Sequence, residues 1–113
     1  SNSFLGNDVL HEESSVYETM KENMQAKLDK IMKDKITTYC NDNSIAVSSL
    51  FSHYVMNKDI TIIDFSSSEK EFITLTFSLG VKNRFQRKAT EMNVSYFYLI
   101  NLIAAQICKD LSL

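Results

Sequence analysis

The chain has 113 residues, of which 44% are hydrophobic and 23% are charged, and its formal net charge is −2. These values are typical of one globular domain with a single core. They do not favour nucleic acid or an anionic membrane as a partner, because both attract positive charge. With no proline and only Gly6 and Gly80 as glycines, the chain has no glycine-rich phosphate-binding loop.

The chain is predicted to form a flexible arm over 1–13 and a single α+β domain over 14–113. Residues 1–3 (SNS) are typical of a cloning remnant, and the rest of the arm has no sustained hydrophobic period. The arm contains the tripeptide His11-Glu12-Glu13. Neighbouring residues on a flexible arm do not fix a coordination geometry, so no metal site is predicted there.

A long amphipathic helix is predicted over 15–40. Ser15 and Glu18 have the spacing of a capping box, in which each side chain bonds a free backbone amide of the first turn. Apolar residues follow at steps of three and four, which places them on one helix face. They are Val16 or Tyr17, Met20, Met24, Leu28, Ile31 or Met32, Ile36 and Tyr39. The helix either packs on its own domain or is shared with another chain, as at the end of a longer coiled coil.

Residues 45–56 are ambiguous, and a short helix is favoured over a strand. The helical pattern has apolar residues at every required position, namely Val47, Leu50, Phe51, Tyr54 and Val55. The strand pattern is interrupted by Ser49 and His53. His53 is interpreted as a surface or hydrogen-bonded core histidine, because no second histidine or nearby cysteine accompanies it.

A β-hairpin is predicted next. Residues 60–65 (ITIIDF) are apolar on both faces, and residues 71–80 alternate between apolar and polar side chains. The short polar connection between them predicts antiparallel pairing. Two strands alone are marginal in water, so the C-terminal apolar helix is expected to cover this sheet.

Residues 81–90 carry a basic cluster without an acidic residue. Its members are Lys82, Arg84, Arg87 and Lys88. The segment is predicted to be a solvated loop or strand edge, where cations discourage unwanted strand pairing. The alternative is a contact patch for an acidic partner protein. Nucleic acid is the least favoured partner, because four charges release few counterions.

The last element is an apolar helix over 94–108, with Thr90 or Asn93 as its N-cap. It is shorter than the ~20 residues that a membrane-spanning helix needs. One apolar stripe is expected to face the sheet, while Phe97, Leu102 and Leu111 extend the apolar surface around the other side. That excess predicts a partner-binding face on this helix.

The sequence shows no catalytic motif. His11 and His53 lie on separate segments, and the patterns C-x-x-C, H-E-x-x-H and G-x-S-x-G are absent. No enzyme activity, cofactor or small-molecule ligand is therefore predicted. Cys40 and Cys108 are expected to be free thiols in an intracellular, reducing compartment, with a bridge between them as the alternative. The alternative to an intracellular protein is a secreted or membrane-anchored fragment.

The favoured function is a protein-interaction and assembly module that acts as a homo- or heterodimer. Its expected contacts are Met20 and Met24 of the long helix, the spare face of the last helix and the basic cluster. In its order of elements the chain resembles the globular heads of the RWD type that follow coiled coils in kinetochore and other scaffold proteins. The alternatives are a small-ligand domain of the cystatin-like or NTF2-like kind, which needs strands over 45–56 and 81–89, and a regulatory protein that binds through its basic stretch.

Overall fold

The computed structural model describes residues 20–65 and 69–113, and it shows an α+β fold, as predicted. Within those ranges a two-stranded sheet is combined with four helices. In chain order the elements are β1 (Lys21–Asp29), α1 (Lys30–Asp42), α2 (Val47–Asn57), β2 (Lys70–Ser78), α3 (Leu79–Met92) and α4 (Tyr96–Asp110).

The sheet has one core face and one open face. The strands are antiparallel, and their register runs without a break from Lys21 opposite Ser78 to Asp29 opposite Lys70. Because successive side chains of a strand point to opposite faces, alternate residues enter the core. The core-facing apolar residues are Met24, Ala26, Leu28, Ile73, Leu75 and Phe77.

The prediction of one helix over 15–40 is wrong for 21–29, which form β1, and holds from residue 30 onwards. Residues 15–19 lie outside the described residues. The apolar spacing explains the error, because a step of four residues keeps a side chain on one face of a helix and also on one face of a strand. The strand ends at Asp29, whose carboxylate accepts a hydrogen bond from the backbone N–H of Met32 and caps α1.

The strand partner of β2 was also predicted wrongly. The alternating strand itself is confirmed as β2, but it pairs with β1 and not with residues 60–65. Those residues have no regular secondary structure and do not belong to the sheet. Ile60 is buried in the core, whereas Ile62 is 64% exposed. The apolar run therefore anchors a connection and does not form a central strand.

The basic segment 81–90 is helical, so its prediction as a loop or strand edge is wrong. Val81, Phe85 and Ala89 follow one another at steps of four and place an apolar stripe against the core. Ser78 starts the helix by accepting a hydrogen bond from the N–H of Val81 at 3.2 Å. The favoured helix over 45–56 is confirmed as α2.

The last helix is confirmed, but it begins later than predicted. Its N-cap is Ser95, whose hydroxyl accepts a hydrogen bond from the N–H of Tyr98 at 3.1 Å. Thr90 belongs to α3, and Asn93 ends that helix in the left-handed conformation with φ of 56°. A left-handed asparagine is a common helix terminator, because its short side chain tolerates positive φ.

Helix α4 is the centre of the core. It contacts β1, α1, α2 and α3. Eight of its fifteen residues are buried, including Leu102, which is fully inaccessible. The expected surplus apolar face of this helix is therefore largely covered by its own chain, because four elements surround it and not one small sheet. None of the helices within the described ranges is both long enough and apolar enough to cross a membrane.

The observed order of elements differs from the order required by two of the interpretations drawn from the sequence, the small-ligand domain and the RWD-type head. A cystatin-like or NTF2-like arrangement needs strands over 45–56 and 81–89, and both segments are helical. The resemblance to RWD heads depended on a long first helix and on a hairpin over 60–80. Neither arrangement is present in the described part of the chain.

Candidate functional site

The outward-facing edge of β1 is the candidate site. In an antiparallel pair, alternate residues turn their backbone N–H and C=O towards the partner strand. Met20 and Lys30, at the two ends of β1, both bond towards β2, because Leu79 N–H donates to Met20 O at 3.0 Å and Lys30 N–H donates to Glu69 O at 2.9 Å. Even-numbered residues of β1 therefore face β2, and odd-numbered residues face outwards.

Asn101 of α4 covers one end of this outer edge. Its Oδ1 accepts a hydrogen bond from Asp29 N–H at 3.1 Å, and its Nδ2 donates to Lys27 O at 2.9 Å. The same Nδ2 donates to Phe97 O at 3.0 Å. Asn101 is buried, and its amide occupies the place that a peptide group of a third strand would take. The buried polar side chain thus substitutes for a strand over Lys27 and Asp29.

The rest of the edge is open within the described part of the chain. Asn23 and Gln25 are exposed, and among residues 20–65 and 69–113 no backbone group bonds to their outward N–H and C=O groups. Unpaired edge groups of this kind are a template for pairing with another chain.

A groove of about 370 Å³ lies against this edge, and we call it the edge groove. It is lined by Gln25, Ala26, Lys27, Lys70, Phe72, Ser95, Phe97, Tyr98 and Asn101. The first three residues come from β1, the next two from β2, and the last four from the N-cap and first turns of α4. The groove therefore joins the strand edge to the start of the core helix.

Three large aromatic side chains of the edge groove are exposed. Phe72 is 61% exposed, Phe97 is 55% exposed and Tyr98 is 41% exposed. Phe65 contacts Tyr98 with ring centroids 6.1 Å apart, and Tyr96 contacts Phe97 edge to face at 6.0 Å. Phe97 and Tyr98 are thus partly held in place by aromatic neighbours, while their outer surfaces stay in solvent. Clustered exposed aromatic surface is typical of interaction sites.

The charged side chains of the edge groove are positive. Lys27 Nζ lies 5.2 Å from the centroid of the Phe72 ring, a cation–π contact that keeps the ammonium group beside the groove. Lys70 is the second lysine, and none of the described lining residues is acidic. An occupant with carboxylate groups would therefore meet complementary charge.

Two tyrosines that pack against the core have raised pKa values. Burial raises the pKa of Tyr96 to about 12, and its hydroxyl lies 3.1 Å from the sulfur of Met24 on β1. Burial, supported by a hydrogen bond to Asp110, raises the pKa of Tyr54 to about 12. Both tyrosines therefore stay protonated at neutral pH.

The cysteines are free, as predicted. Cys40 is buried and Cys108 is half-buried. Burial raises the pKa of both thiols, so neither has the lowered pKa of a reactive thiolate. Among residues 20–65 and 69–113 no group of three or more histidine, cysteine, aspartate or glutamate residues could hold a metal ion. His11, Glu12 and Glu13 lie outside the described residues.

The apolar residues predicted to contact a partner differ in their exposure and position. Phe97 lines the edge groove, whereas Leu102 is fully buried and is not available to a partner. Leu111 is partly buried against the core. Met20 is 54% exposed just before β1, and Met24 is half-buried on the core face of the sheet, so the two do not form a helix stripe.

The predicted basic cluster is divided between two sides of α3. Because a helix turns by about 100° per residue, Arg84, Arg87 and Lys88 share one side and Lys82 points away from them. Lys82 forms an ion pair with Glu22 of β1 at 2.7 Å. Arg87 is exposed, while Arg84 and Lys88 are half-buried. The four cations therefore do not form one patch, and none of them lines the edge groove.

Several residues of the site were not predicted from the sequence, chiefly Gln25, Lys27, Phe72, Tyr98 and Asn101. Two signals in the sequence could have pointed to them. Phe72 is a large aromatic residue on the otherwise polar face of an alternating strand, and Asn101 is an amide inside the longest apolar run. A buried amide requires hydrogen-bond partners, so its position already implied a polar contact within the core.

Comparison with known proteins adds no relationship. No family model, no curated protein and no solved structure matches this chain.

Proposed function

We propose that this chain is a non-enzymatic protein-interaction module that binds another protein chain, as a homo- or heterodimer, through the edge groove. The observation that carries the proposal is the meeting of three exposed aromatic rings, Phe72, Phe97 and Tyr98, at an open strand edge. A spare helix face would offer a partner apolar surface alone. The edge groove offers apolar surface together with unused backbone hydrogen-bonding groups.

The aromatic surface is sufficient to anchor an interface. Fully burying one large apolar side chain contributes roughly 1.5–3 kcal/mol, and aromatic residues are frequent among the few that dominate binding. The rings are only partly exposed, so each contributes a fraction of that amount. Three of them together support binding of moderate strength once the entropy loss on association is included.

The experiment compares Phe97→Ser with Met56→Ser. Both residues are exposed apolar side chains, at 55% and 48%, but Met56 lies on α2 and outside the edge groove. Light scattering over a wide concentration range measures self-association. We expect any rise in mass to disappear in Phe97→Ser and to persist in Met56→Ser.

A different protein partner is tested by site-specific photo-crosslinking. A photoreactive residue at position 97 is expected to capture a discrete protein adduct in extract of the source cells, whereas the same residue at position 56 is not. The proposal is contradicted if the protein stays monomeric at every concentration and the two crosslinking positions give the same products.

A further inference from the structure

We infer that the edge groove takes an extended peptide segment of a different protein, with alternating apolar and acidic side chains, which adds to the sheet as a third strand beside β1. This inference rests on the proposed function and names the occupant of the same site. Strand addition derives affinity from backbone hydrogen bonds and selectivity from the pockets that receive alternate side chains.

The backbone of β1 defines the extent of such a strand. Outward N–H and C=O groups are provided by Lys21, Asn23 and Gln25, and the last outward N–H before Asn101 belongs to Lys27. The stretch from Lys21 to Lys27 covers seven residues, whose first and last Cα atoms are about 20 Å apart at six steps of roughly 3.4 Å. Asn101 occupies Lys27 O and Asp29 N–H, so it marks the point at which an added strand must end.

The two sides of the added strand would meet different surfaces. Side chains of neighbouring strands that lie opposite each other share a face of the sheet. Residues opposite Ala26 would therefore face the start of α4, where Phe97 and Ser95 line the groove. Residues opposite Gln25 and Lys27 would lie on the open face, beside the Lys27 ammonium group. Apolar residues therefore suit the positions opposite Ala26, and residues with carboxylates suit the positions opposite Gln25 and Lys27.

Charge also separates a different protein from a second copy of this chain. Among its described lining residues the groove has Lys27 and Lys70 and no acidic residue. Symmetric antiparallel pairing of two β1 edges over residues 21–27 would place Lys27 of one copy opposite Lys21 of the other, where like charges repel. A segment with carboxylates replaces that repulsion by attraction.

The experiment selects from a display library of random heptapeptides against the full chain, and the enriched peptides are synthesised and their binding is measured. We expect enrichment of sequences in which apolar and acidic residues alternate. Four variants identify the contact: Gln25→Pro, its matched control Gln25→Ala, Phe97→Ser and Lys27→Glu. The N–H of Gln25 faces outwards, so Gln25→Pro removes an edge donor without removing a bond between β1 and β2.

Strand addition predicts that the peptides bind the wild type and Gln25→Ala within about twofold, because both keep the backbone donor. Gln25→Pro should weaken binding by about tenfold or more, since it removes a donor and places a ring at the edge. Lys27→Glu should weaken acidic peptides by about three- to fivefold, with a smaller effect at high salt. Circular dichroism and urea unfolding verify that each variant is folded.

Each contrary result has a distinct meaning. If the peptides lose affinity for Phe97→Ser but bind Gln25→Pro like the wild type, docking uses side chains alone; strand addition is then wrong, although the proposed function stands. If no peptide is enriched, the inference is wrong and the crosslinking at position 97 decides the proposed function separately. Protection of the Gln25 amide in the free protein also overturns the inference: concentration-dependent protection identifies a second copy, and concentration-independent protection identifies this chain's own residues.

Discussion

The two outer edges of the sheet differ in how the helices cover them. On β2, Ser48 of α2 accepts a hydrogen bond from Thr76 N–H at 2.8 Å, and Lys33 of α1 donates to Phe72 O at 3.1 Å. On β1, Asn101 covers only the end nearest α1. Among residues 20–65 and 69–113, side chains from two helices thus protect β2 at separated points, while Asn101 protects one end of β1 and Asn23 and Gln25 are exposed.

This difference follows from where the helices run. Helix α4 crosses the core face and reaches the β1 edge at Asn101, but its first turn is occupied by Phe97 and Tyr98, which face the groove. Edge strands that lack cover are normally blunted by charge, proline or bulges. Here the register has no break, and the charged residues that line the groove are Lys27 on β1 and Lys70 on β2. An edge that is open, regular and flanked by aromatic rings is suited to pairing.

The largest expected effect comes from removing the contacts that Asn101 makes with β1. Asn101→Ala leaves Asp29 N–H and Lys27 O without their partner in a buried region, and we expect the free energy of unfolding to fall by about 2–4 kcal/mol. Urea unfolding measures this loss. Gln106→Ala on the same helix is the control, with an expected change within about 0.5 kcal/mol because Gln106 hydrogen-bonds at the surface. Equal losses in both variants would show that Asn101 has no special role at the edge.

Proline substitutions distinguish the inward and outward positions of β1. Met24 faces β2, so Met24→Pro removes a bond between the strands and is expected to cost about 3 kcal/mol. Gln25→Pro removes only an outward N–H, and we expect a loss below about 1 kcal/mol. Thermal unfolding of both variants is the measurement. Similar losses would mean that the register does not place Gln25 at a free edge.

How far the sequence predicted these features depends on the kind of pattern involved. Helix α2 and strand β2 were predicted because their apolar residues fit one period and break the other. Strand β1 was not predicted, because Met20, Met24 and Leu28 are spaced by four residues. That spacing fits the period of a helix and also the period of a strand. The roles of Asn101 and Phe97 depend on α4 meeting the edge of a strand more than 70 residues earlier in the chain. No local pattern carries that information.

A smaller effect is expected at the protected edge of β2. Ser48→Ala removes the acceptor for Thr76 N–H, and the exposed location limits the expected loss to about 0.5–1 kcal/mol. The exchange of the Thr76 amide with solvent should accelerate. Ser52→Ala is the matched control, since Ser52 bonds only within its own helix, to Ser48 O. An unchanged exchange rate of the Thr76 amide in Ser48→Ala would contradict the hydrogen bond from Thr76 N–H to Ser48.

A pH-dependent effect concerns the core under β1. The pKa of Tyr96 is raised by burial to about 12, above its ordinary value of 10.0. As pH rises from about 10 to 12, the unfolded chain loses this proton before the folded chain does. The stabilisation from the protonated Tyr96 is therefore fully present below about pH 10 and is lost over that interval. Tyr96→Phe should make the fall shallower, and the raised pKa values of Tyr54, Cys40 and Cys108 contribute to the part that remains. Urea midpoints at about pH 9 and 11 measure the change, and an unaltered slope would show that Tyr96 is not buried as described.

The exchange rate of the Gln25 amide tests most directly whether the β1 edge accepts another chain. We predict fast exchange in the free protein, in contrast to slow exchange at Asp29, where Asn101 accepts the bond. On saturation with a selected heptapeptide, exchange at Gln25 should slow by about tenfold or more, while exchange at Thr76 stays the same. Bound peptide with unchanged exchange at Gln25 would contradict strand addition at this edge.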